Sequence, residues 1–381
     1  MQKLQQQLIG LGQISLLVFL LNASVAIADT PQTSPSAATS STTITATSTV
    51  AAKDDAFINQ LITAGIQPLY RELEQRSQQL TQNSHDFCKD SSLEGFQTLQ
   101  DAWGQTMLAW QRTDSLLFGP ATAEQMDFYI NFTPPKKQII KSLLDSDKPI
   151  TAESITAAGV GAQGLSSLEY LLFDRAQTNE QLLASFQDSK GQIRCSYVQA
   201  VSSLLEQNIK KVTTSWLSSD TTKIFASNQE AIDLLIGKSY QTLAKVNVKK
   251  LSAPLGLNDE KKLRHPYDLE AWRSGYSFKI IKANVEGIQR VFVDGGFLAW
   301  IDKTFPNDAT KTVVVSFEKQ LKDLAAMKLP EGDPFTMVEQ KQHPAELNEL
   351  VERSRGLEMG VKRQLSIITK AQLGFNDNDG D

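Results

Sequence analysis

The chain has 381 residues, of which 41% are hydrophobic and 21% are charged, a composition typical of a protein that folds around a sizeable core. Its 38 basic and 43 acidic residues give a net charge of −5, whereas nucleic-acid-binding proteins usually carry a basic excess, so this class is disfavoured. Two Cys and three His exclude a cysteine-rich zinc or iron–sulfur site, and any metal would depend mainly on oxygen ligands.

The N-terminal residues 1–28 are typical of a secretory signal peptide. Lys3 precedes an apolar stretch at 8–21, which is too short and too interrupted for a membrane span of about 20 residues. Small residues up to Ala28 offer a cleavage site, so we expect an exported, periplasmic protein without a transmembrane segment. Residues 29–54 are rich in Ser, Thr, Ala and Pro, which predicts a disordered linker.

The remaining chain predicts an all-α fold, because its apolar residues recur at spacings of three and four. The predicted amphipathic helices are 57–80, 93–117, 193–217, 232–248, 269–293, 313–327 and 347–367. The order of elements in the first half is echoed in the second. We therefore predict two similar helical domains, 55–220 and 221–381, related by an internal duplication, with a ligand site in the cleft between them.

A glycine-rich stretch followed by a short apolar helix, at 159–173, is the most informative segment. Ser166 and Glu169 are three residues apart on this helix, so one small ligand could contact both. Apolar neighbours predict that Glu169 is at least partly buried, and a buried carboxylate needs a cation or strong donors to stay charged. A ligand-binding role and a purely structural pairing both stay open, and the spacing alone favours the structural one.

Arg273 begins a second candidate group. Arg273, Ser277 and Asn284 follow one another at spacings of four and seven, which predicts that they share a helical face. Arginine commonly binds carboxylate or phosphate groups in a bidentate manner. Our hypothesis is that this face meets Glu169 and Asp114 across the domain interface, while an interdomain salt bridge without a ligand fits equally well.

The two cysteines suggest a disulfide bond. Cys88 lies at the end of the first predicted helix and Cys195 at the start of a later one, so a bond between them is reasonable in an up–down bundle in an oxidising compartment. Two free buried thiols are the alternative, since the distance between them cannot be read from sequence.

Four segments resemble the imelysin-like family, also classed as insulin-cleaving peptidases. GLSSLEYLLF at 164–173 is similar to the family's GxHxxE-YLLF signature, and W…D…FGP at 110–120 is similar to its W…E…RFGP segment, with Asp114 in place of Glu. RSGYS…N…GI at 273–288 resembles its RSxxS…N…GI helix, and 373–381 resembles its GFxxNDGD ending. The resemblance covers nearly all of the chain after the predicted signal peptide.

This resemblance implies two four-helix-bundle-like domains, export to the periplasm and expression tied to iron uptake. It also implies that the motif residues line a cleft between the domains. The ligand-binding candidates are therefore Asp114, Ser166, Glu169, Arg273, Ser277 and Asn284.

The chain departs from the family pattern where the peptidase assignment depends on it. The motif His falls on Ser166, and a hydroxyl is a poor zinc ligand beside imidazole or thiolate. The sequence also has no H-E-x-x-H motif. Zinc is therefore disfavoured, iron or another metal stays open, and Glu169 is the best metal-binding candidate.

We accordingly predict a non-enzymatic binding protein for iron uptake, whose partner is a small ligand, a metal or an iron-uptake protein. A metallopeptidase of the same family, and a structural or partner-binding periplasmic protein with a vestigial cleft, are the alternatives.

Overall fold

The structure is a computed structural model that describes residues 53–218, 221–258 and 260–374. The predicted signal peptide and all but the last two residues of the predicted linker lie outside the described residues, as does most of the family-like ending. The described residues belong to one compact unit, Ala51–Asp381. The division near residue 220 and the internal duplication remain predictions.

The fold is all-α, as predicted, and the described residues contain no β-strand. The helices of the first half are α1 Asp55–Gln60, α2 Gln67–Lys89, α3 Leu93–Arg112, α4 Met126–Ile130, α5 Lys137–Leu144, α6 Ala152–Ala158, α7 Gly164–Leu172, α8 Asn179–Gln187 and α9 Gly191–Leu217. Those of the second half are α10 Asn228–Lys245, α11 Ala253–Leu255, α12 Ser277–Gln289, α13 Phe297–Thr304, α14 Asp308–Ala326, α15 Pro334–Glu339, α16 Ala345–Gly360 and α17 Ser366–Thr369.

Several connections between these helices are themselves helical. Segments of π-helix directly follow α1, α10, α12 and α16, at Leu61–Ile66, Val246–Ser252, Arg290–Asp294 and Val361–Leu365. Short 3₁₀ turns occupy Asp114–Leu116, Gly119–Ala121, Ala123–Gln125, Val160–Ala162, Thr221–Ile224 and Pro266–Asp268. A π-helical turn inserts an extra residue and rotates the side chains that follow it. Lys250, which is central to the polar network described below, lies in such a turn.

Helices α2 and α9 run antiparallel and are joined by a disulfide. The side chain of Gln67, at the start of α2, donates to the Trp216 carbonyl near the end of α9 at 2.9 Å. At the other end of the pair, Cys88 of α2 is bonded to Cys195 of α9, with 5.5 Å between their Cα atoms. The disulfide therefore lies in register with the helix pairing.

The chain before α12 differs from the sequence-based expectation. A helix was predicted over 269–293, but α12 begins only at Ser277, and residues 270–275 form successive turns. Ala271 has φ 52° and Gly275 has φ 73°, and these left-handed conformations cannot continue an α-helix. The prediction that Arg273 shares a helical face with Ser277 and Asn284 is therefore wrong.

Helices α3 and α12 approach closely at Gly287. A Cβ atom at this position would lie 1.9 Å from the Arg112 carbonyl oxygen, which is backbone and cannot move aside cheaply. We expect Gly287→Ala to lower the free energy of unfolding by about 1–3 kcal/mol through overpacking, as measured by urea denaturation. The matched control is Gly356→Ala on the exposed side of α16, where the nearest atom is a side-chain oxygen at 3.4 Å. That variant should gain up to about 1 kcal/mol in helix propensity, and equal stability of the two variants would contradict the predicted close approach.

Candidate functional site

Helix α7 carries the predicted Ser166 and Glu169 and is fixed at both ends by α3. Trp103 of α3 donates its indole N–H to the Leu165 carbonyl at 2.9 Å, and Gln100 donates to the Leu172 carbonyl at 2.7 Å. Gly164 begins the helix with φ 78°, where a Cβ atom would lie 2.4 Å from the Ile130 carbonyl oxygen. Only glycine fits this contact, so the glycine-rich stretch positions α7 against the chain around residue 131.

Ser166 uses its hydroxyl within the protein. The side chain is 5% exposed, and its O–H donates to the main-chain carbonyl of Phe132. Because this hydroxyl donates to a main-chain carbonyl outside α7, it anchors α7 to the segment at Phe132.

Glu169 is buried, as its apolar neighbours predicted, and is held by Ser274. The Glu169 side chain is 6% exposed, and its Oε1 accepts both the backbone N–H and the hydroxyl of Ser274, each at 3.0 Å. Burial raises the pKa of Glu169, and it outweighs the Ser274 hydrogen bonds and the attraction of the Arg273 guanidinium, which act to lower it. Burial therefore disfavours the ionised form of Glu169, and a nearby positive charge stabilises that form.

Arg273 lies next to this carboxyl group with open hydrogen-bonding capacity. Its guanidinium stacks on the Trp272 ring, 4.0 Å from the centroid, and lies 5.5 Å from the centroid of Tyr170. Within the described chain the guanidinium N–H groups of Arg273 have no hydrogen-bond acceptor and no carboxylate within 4.0 Å, although Glu169 attracts the guanidinium from farther away. Partial burial lowers the pKa of Arg273, against the attraction of Glu169.

Asp114 lies in a different polar environment. Its Oδ1 accepts from the Lys245 ammonium at 2.6 Å and its Oδ2 from the Thr242 hydroxyl at 2.9 Å. Burial alone would raise the pKa of Asp114, but the positive charges of Lys245 and Lys250 outweigh it and lower that pKa to about 2. Asp114 is therefore an ionised carboxylate whose two oxygens are already engaged by the protein.

Lys250 organises the polar residues next to Asp114. Its side chain is 4% exposed, and its ammonium donates to Gln111 Oε1 at 2.9 Å, to Asn284 Oδ1 at 2.6 Å and to Glu270 Oε2 at 2.9 Å. Gln111 Nε2 in turn donates to Glu270 Oε1 at 2.8 Å. We refer to these four residues as the Lys250 network. The three acceptors account for all three N–H bonds of the Lys250 ammonium. Asn284 therefore hydrogen bonds within this network, and no hydrogen bond joins it to Glu169 among the described residues.

The predicted site residues thus fall into two groups. Arg273 lies near Glu169, as hypothesised, but it does so from a turn and not from the helical face that carries Asn284, which joins the Lys250 network beside Asp114. Ser277 is 3% exposed, and its hydroxyl has no hydrogen-bond partner among the described residues.

Sequence analysis missed the partners of the predicted residues. They are Thr242, Lys245, Lys250, Glu270 and Ser274. Lys250 follows Lys249 in a stretch that mixes polar and apolar residues, so no local pattern distinguished it. Ser274 lies within the family-like segment, but a helical interpretation places it on a different side of the helix from Arg273, so its contact with Glu169 was not expected.

Two further features of the described chain bear on its chemistry. No cluster of three or more His, Cys, Asp or Glu side chains that could hold a metal ion occurs among the described residues. No described helix has the length and apolar character that crossing a membrane would require.

Comparison with known proteins supports the resemblance found in the sequence. The family model described as Imelysin matches residues 66–358. The fold is similar to that of an imelysin-like protein from Psychrobacter arcticum 273-4, with a TM-score of 0.68 and 22% identity over 84% of this chain and 96% of the other. It is also similar to a protein described as an iron-regulated protein A precursor from Parabacteroides distasonis ATCC 8503, with a TM-score of 0.64 and 17% identity over 83% of this chain and 94% of the other. No curated protein matches the chain significantly.

Proposed function

The chain belongs to the imelysin family, and from that premise we propose that it is an exported, non-catalytic binding protein for iron uptake whose ligand lies beside Glu169 and Arg273. Export is supported by the signal-like N-terminus and by the Cys88–Cys195 disulfide, a bond that persists in oxidising compartments. The iron role draws on the family resemblance and on the iron-regulated protein of similar fold.

The observation that carries this proposal is the open guanidinium of Arg273. A planar group with five N–H donors, next to a buried carboxyl and without an acceptor of its own in the described chain, is suited to a ligand with anionic oxygens. A chelate that binds iron through carboxylate oxygens presents such acceptors. Ser166 supports the non-catalytic part of the proposal, since it replaces an imidazole and its hydroxyl is engaged by the Phe132 carbonyl.

Binding of ferric citrate, measured by isothermal titration calorimetry, tests the proposal. We expect Arg273→Gln to weaken binding about tenfold to a hundredfold, because it removes a charge-assisted pair of hydrogen bonds worth about 1.5–3 kcal/mol. The matched control is Arg290→Gln, since Arg290 is 42% exposed and forms an ion pair with Asp294 one helical turn away. That variant should bind as the unmodified protein does.

Growth of the native host under iron limitation supplies the second measurement. A double variant, Glu169→Gln with Arg273→Gln, should grow as poorly as a strain lacking the protein. Full growth together with unchanged binding would favour a structural protein with a vestigial cleft. Stoichiometric zinc accompanied by peptide cleavage would favour the metallopeptidase.

A further inference from the structure

The open guanidinium of Arg273 lies over the Trp272 and Tyr170 rings, and further aromatic contacts extend from Trp272. We name these side chains the aromatic–arginine cluster, and its members are Tyr170, Arg175, Tyr267, Trp272, Arg273 and Phe335. Tyr267 lies edge-on to Trp272 and to Phe335, with centroid distances of 5.0 Å in both cases. Trp272 and Phe335 are 5.7 Å apart. These contacts give the rings defined positions relative to one another.

Tyr267 is the exposed ring of this cluster. The Tyr267 side chain is 68% exposed although two rings hold it in place, whereas Phe335 beneath it is 6% exposed. Tyr267 lies in the 3₁₀ turn Pro266–Asp268, within the long connection between α11 and α12, on which Leu257 and Leu263 are also 41% and 49% exposed. Long irregular segments that expose apolar side chains in a well-packed protein often form binding sites.

The two arginines of the cluster have different roles. Arg175 stacks on Phe335 at 4.3 Å and is held by a bidentate pair with Asp333, at 2.7 and 2.6 Å, and by the Thr336 hydroxyl at 3.2 Å. It therefore fixes Phe335 in place. Arg273 stacks on Trp272 without any such acceptor in the described chain, so its donors remain for an incoming anion.

We propose that the ligand carries its anionic oxygens on an aromatic ring, as catecholate and salicylate iron chelators do, and that this ring stacks on the exposed Tyr267 side chain while its oxygens bind Arg273. The inference rests on the proposed ligand site and names the class of its ligand. An anion that reaches Arg273 has the Trp272 ring beneath the guanidinium and the exposed Tyr267 ring 5.0 Å from Trp272. An aromatic carboxylate uses both the charge and the flat apolar surface, whereas citrate uses only the charge.

The test compares ferric complexes of 2,3-dihydroxybenzoate, salicylate and citrate by isothermal titration calorimetry on the whole mature protein. We expect the aromatic complexes to bind at least about tenfold more tightly than ferric citrate, which is the effect of one aromatic contact worth about 1.4 kcal/mol. Tyr267→Ser should remove about that factor for the aromatic complexes and leave citrate binding unchanged. Circular dichroism should be unaltered, because Tyr267 is mostly exposed.

The matched control is Ile367→Ser on α17, which removes a hydrophobic side chain of nearly equal exposure, 70%, outside the cluster. It should change no affinity. If ferric citrate binds as tightly as the aromatic complexes and Tyr267→Ser has no effect, the aromatic ligand class is wrong while the proposed binding function stands. If none of the three complexes binds the unmodified protein, both proposals fail.

Discussion

Replacing Glu270 with Ala should lower the free energy of unfolding by about 3–5 kcal/mol, because it leaves the Lys250 ammonium buried without its carboxylate partner. Lys250 is 4% exposed and Glu270 is 17% exposed, so the ammonium has little access to water in the folded protein. Gln111 also loses the acceptor for its Nε2 group, which adds an unsatisfied buried donor. The expected loss is a large fraction of the stability of a typical domain.

Urea denaturation at pH 7 measures this loss, and the control is an exposed ion pair of the same chemistry. Lys322 and Glu318 are paired at 2.5 Å one helical turn apart on α14, with side chains 54% and 35% exposed. Lys322→Ala should change the free energy of unfolding by less than about 1 kcal/mol, because exposed pairs contribute little.

A double variant distinguishes the interaction between the two charges from the loss of stability that any mutation in this region would cause. In Glu270→Leu with Lys250→Met, neither charge is buried alone, so the double variant should lose less stability than the two single variants together. Additive losses would show that the two charges are not coupled.

The pH dependence gives an independent measurement. Burial already lowers the pKa of Lys250, and removing Glu270 should lower it further. Between that pKa and the ordinary lysine value of about 10.4, the unfolded chain binds more protons than the folded one, so stability rises with pH. The deficit of Glu270→Ala should therefore shrink as the pH rises from 7 towards 10. A deficit that stays constant over this range would contradict a charged Lys250.

The fold class could be predicted because apolar residues at helical spacing report directly on which side of a helix is buried. Residues Phe57, Leu61 and Tyr70 are all buried in the continuous helical run of α1 and α2, as their spacing predicted. The turns at 270–275 could not be predicted in the same way. Leu269 and Trp272 continue the apolar periodicity, and nothing local marks Ala271 for a left-handed conformation, which tertiary contacts impose.

The sequence could indicate the relative placement of residues within one short segment, but not the contacts between distant segments, and the ligand-binding role of Ser166 and Glu169 stays a prediction. Ser166 and Glu169 lie within one turn of one helix, so their spacing was informative. The Lys250 network joins residues from α3, the π-helical turn after α10, the turns near Glu270, and α12. No single-sequence pattern links such separated positions, and the family resemblance marked Asn284 without revealing its partners.

Removing the disulfide should have the other large effect on stability. Cys88 and Cys195 are 107 residues apart in sequence, so their bond closes a long loop and restricts the unfolded chain. We expect the double variant Cys88→Ala with Cys195→Ala to lower the free energy of unfolding by about 4–5 kcal/mol in urea. Alanine is preferred to serine because Cys195 is 8% exposed, and a buried hydroxyl would add a separate cost.

Reduction of the unmodified protein provides the matched control for this variant, because it breaks the bond without changing the sequence. The reduced protein and the double variant should unfold at the same urea concentration, and the oxidised protein should require more. Alkylation of unfolded protein should label no thiol before reduction and two afterwards. Labelling of both thiols before reduction would mean that the bond does not form. Equal stability of the oxidised protein and the double variant would mean instead that the disulfide adds no stability. Non-covalent contacts between α2 and α9, such as the Gln67–Trp216 hydrogen bond, would then suffice to stabilise the helix pair.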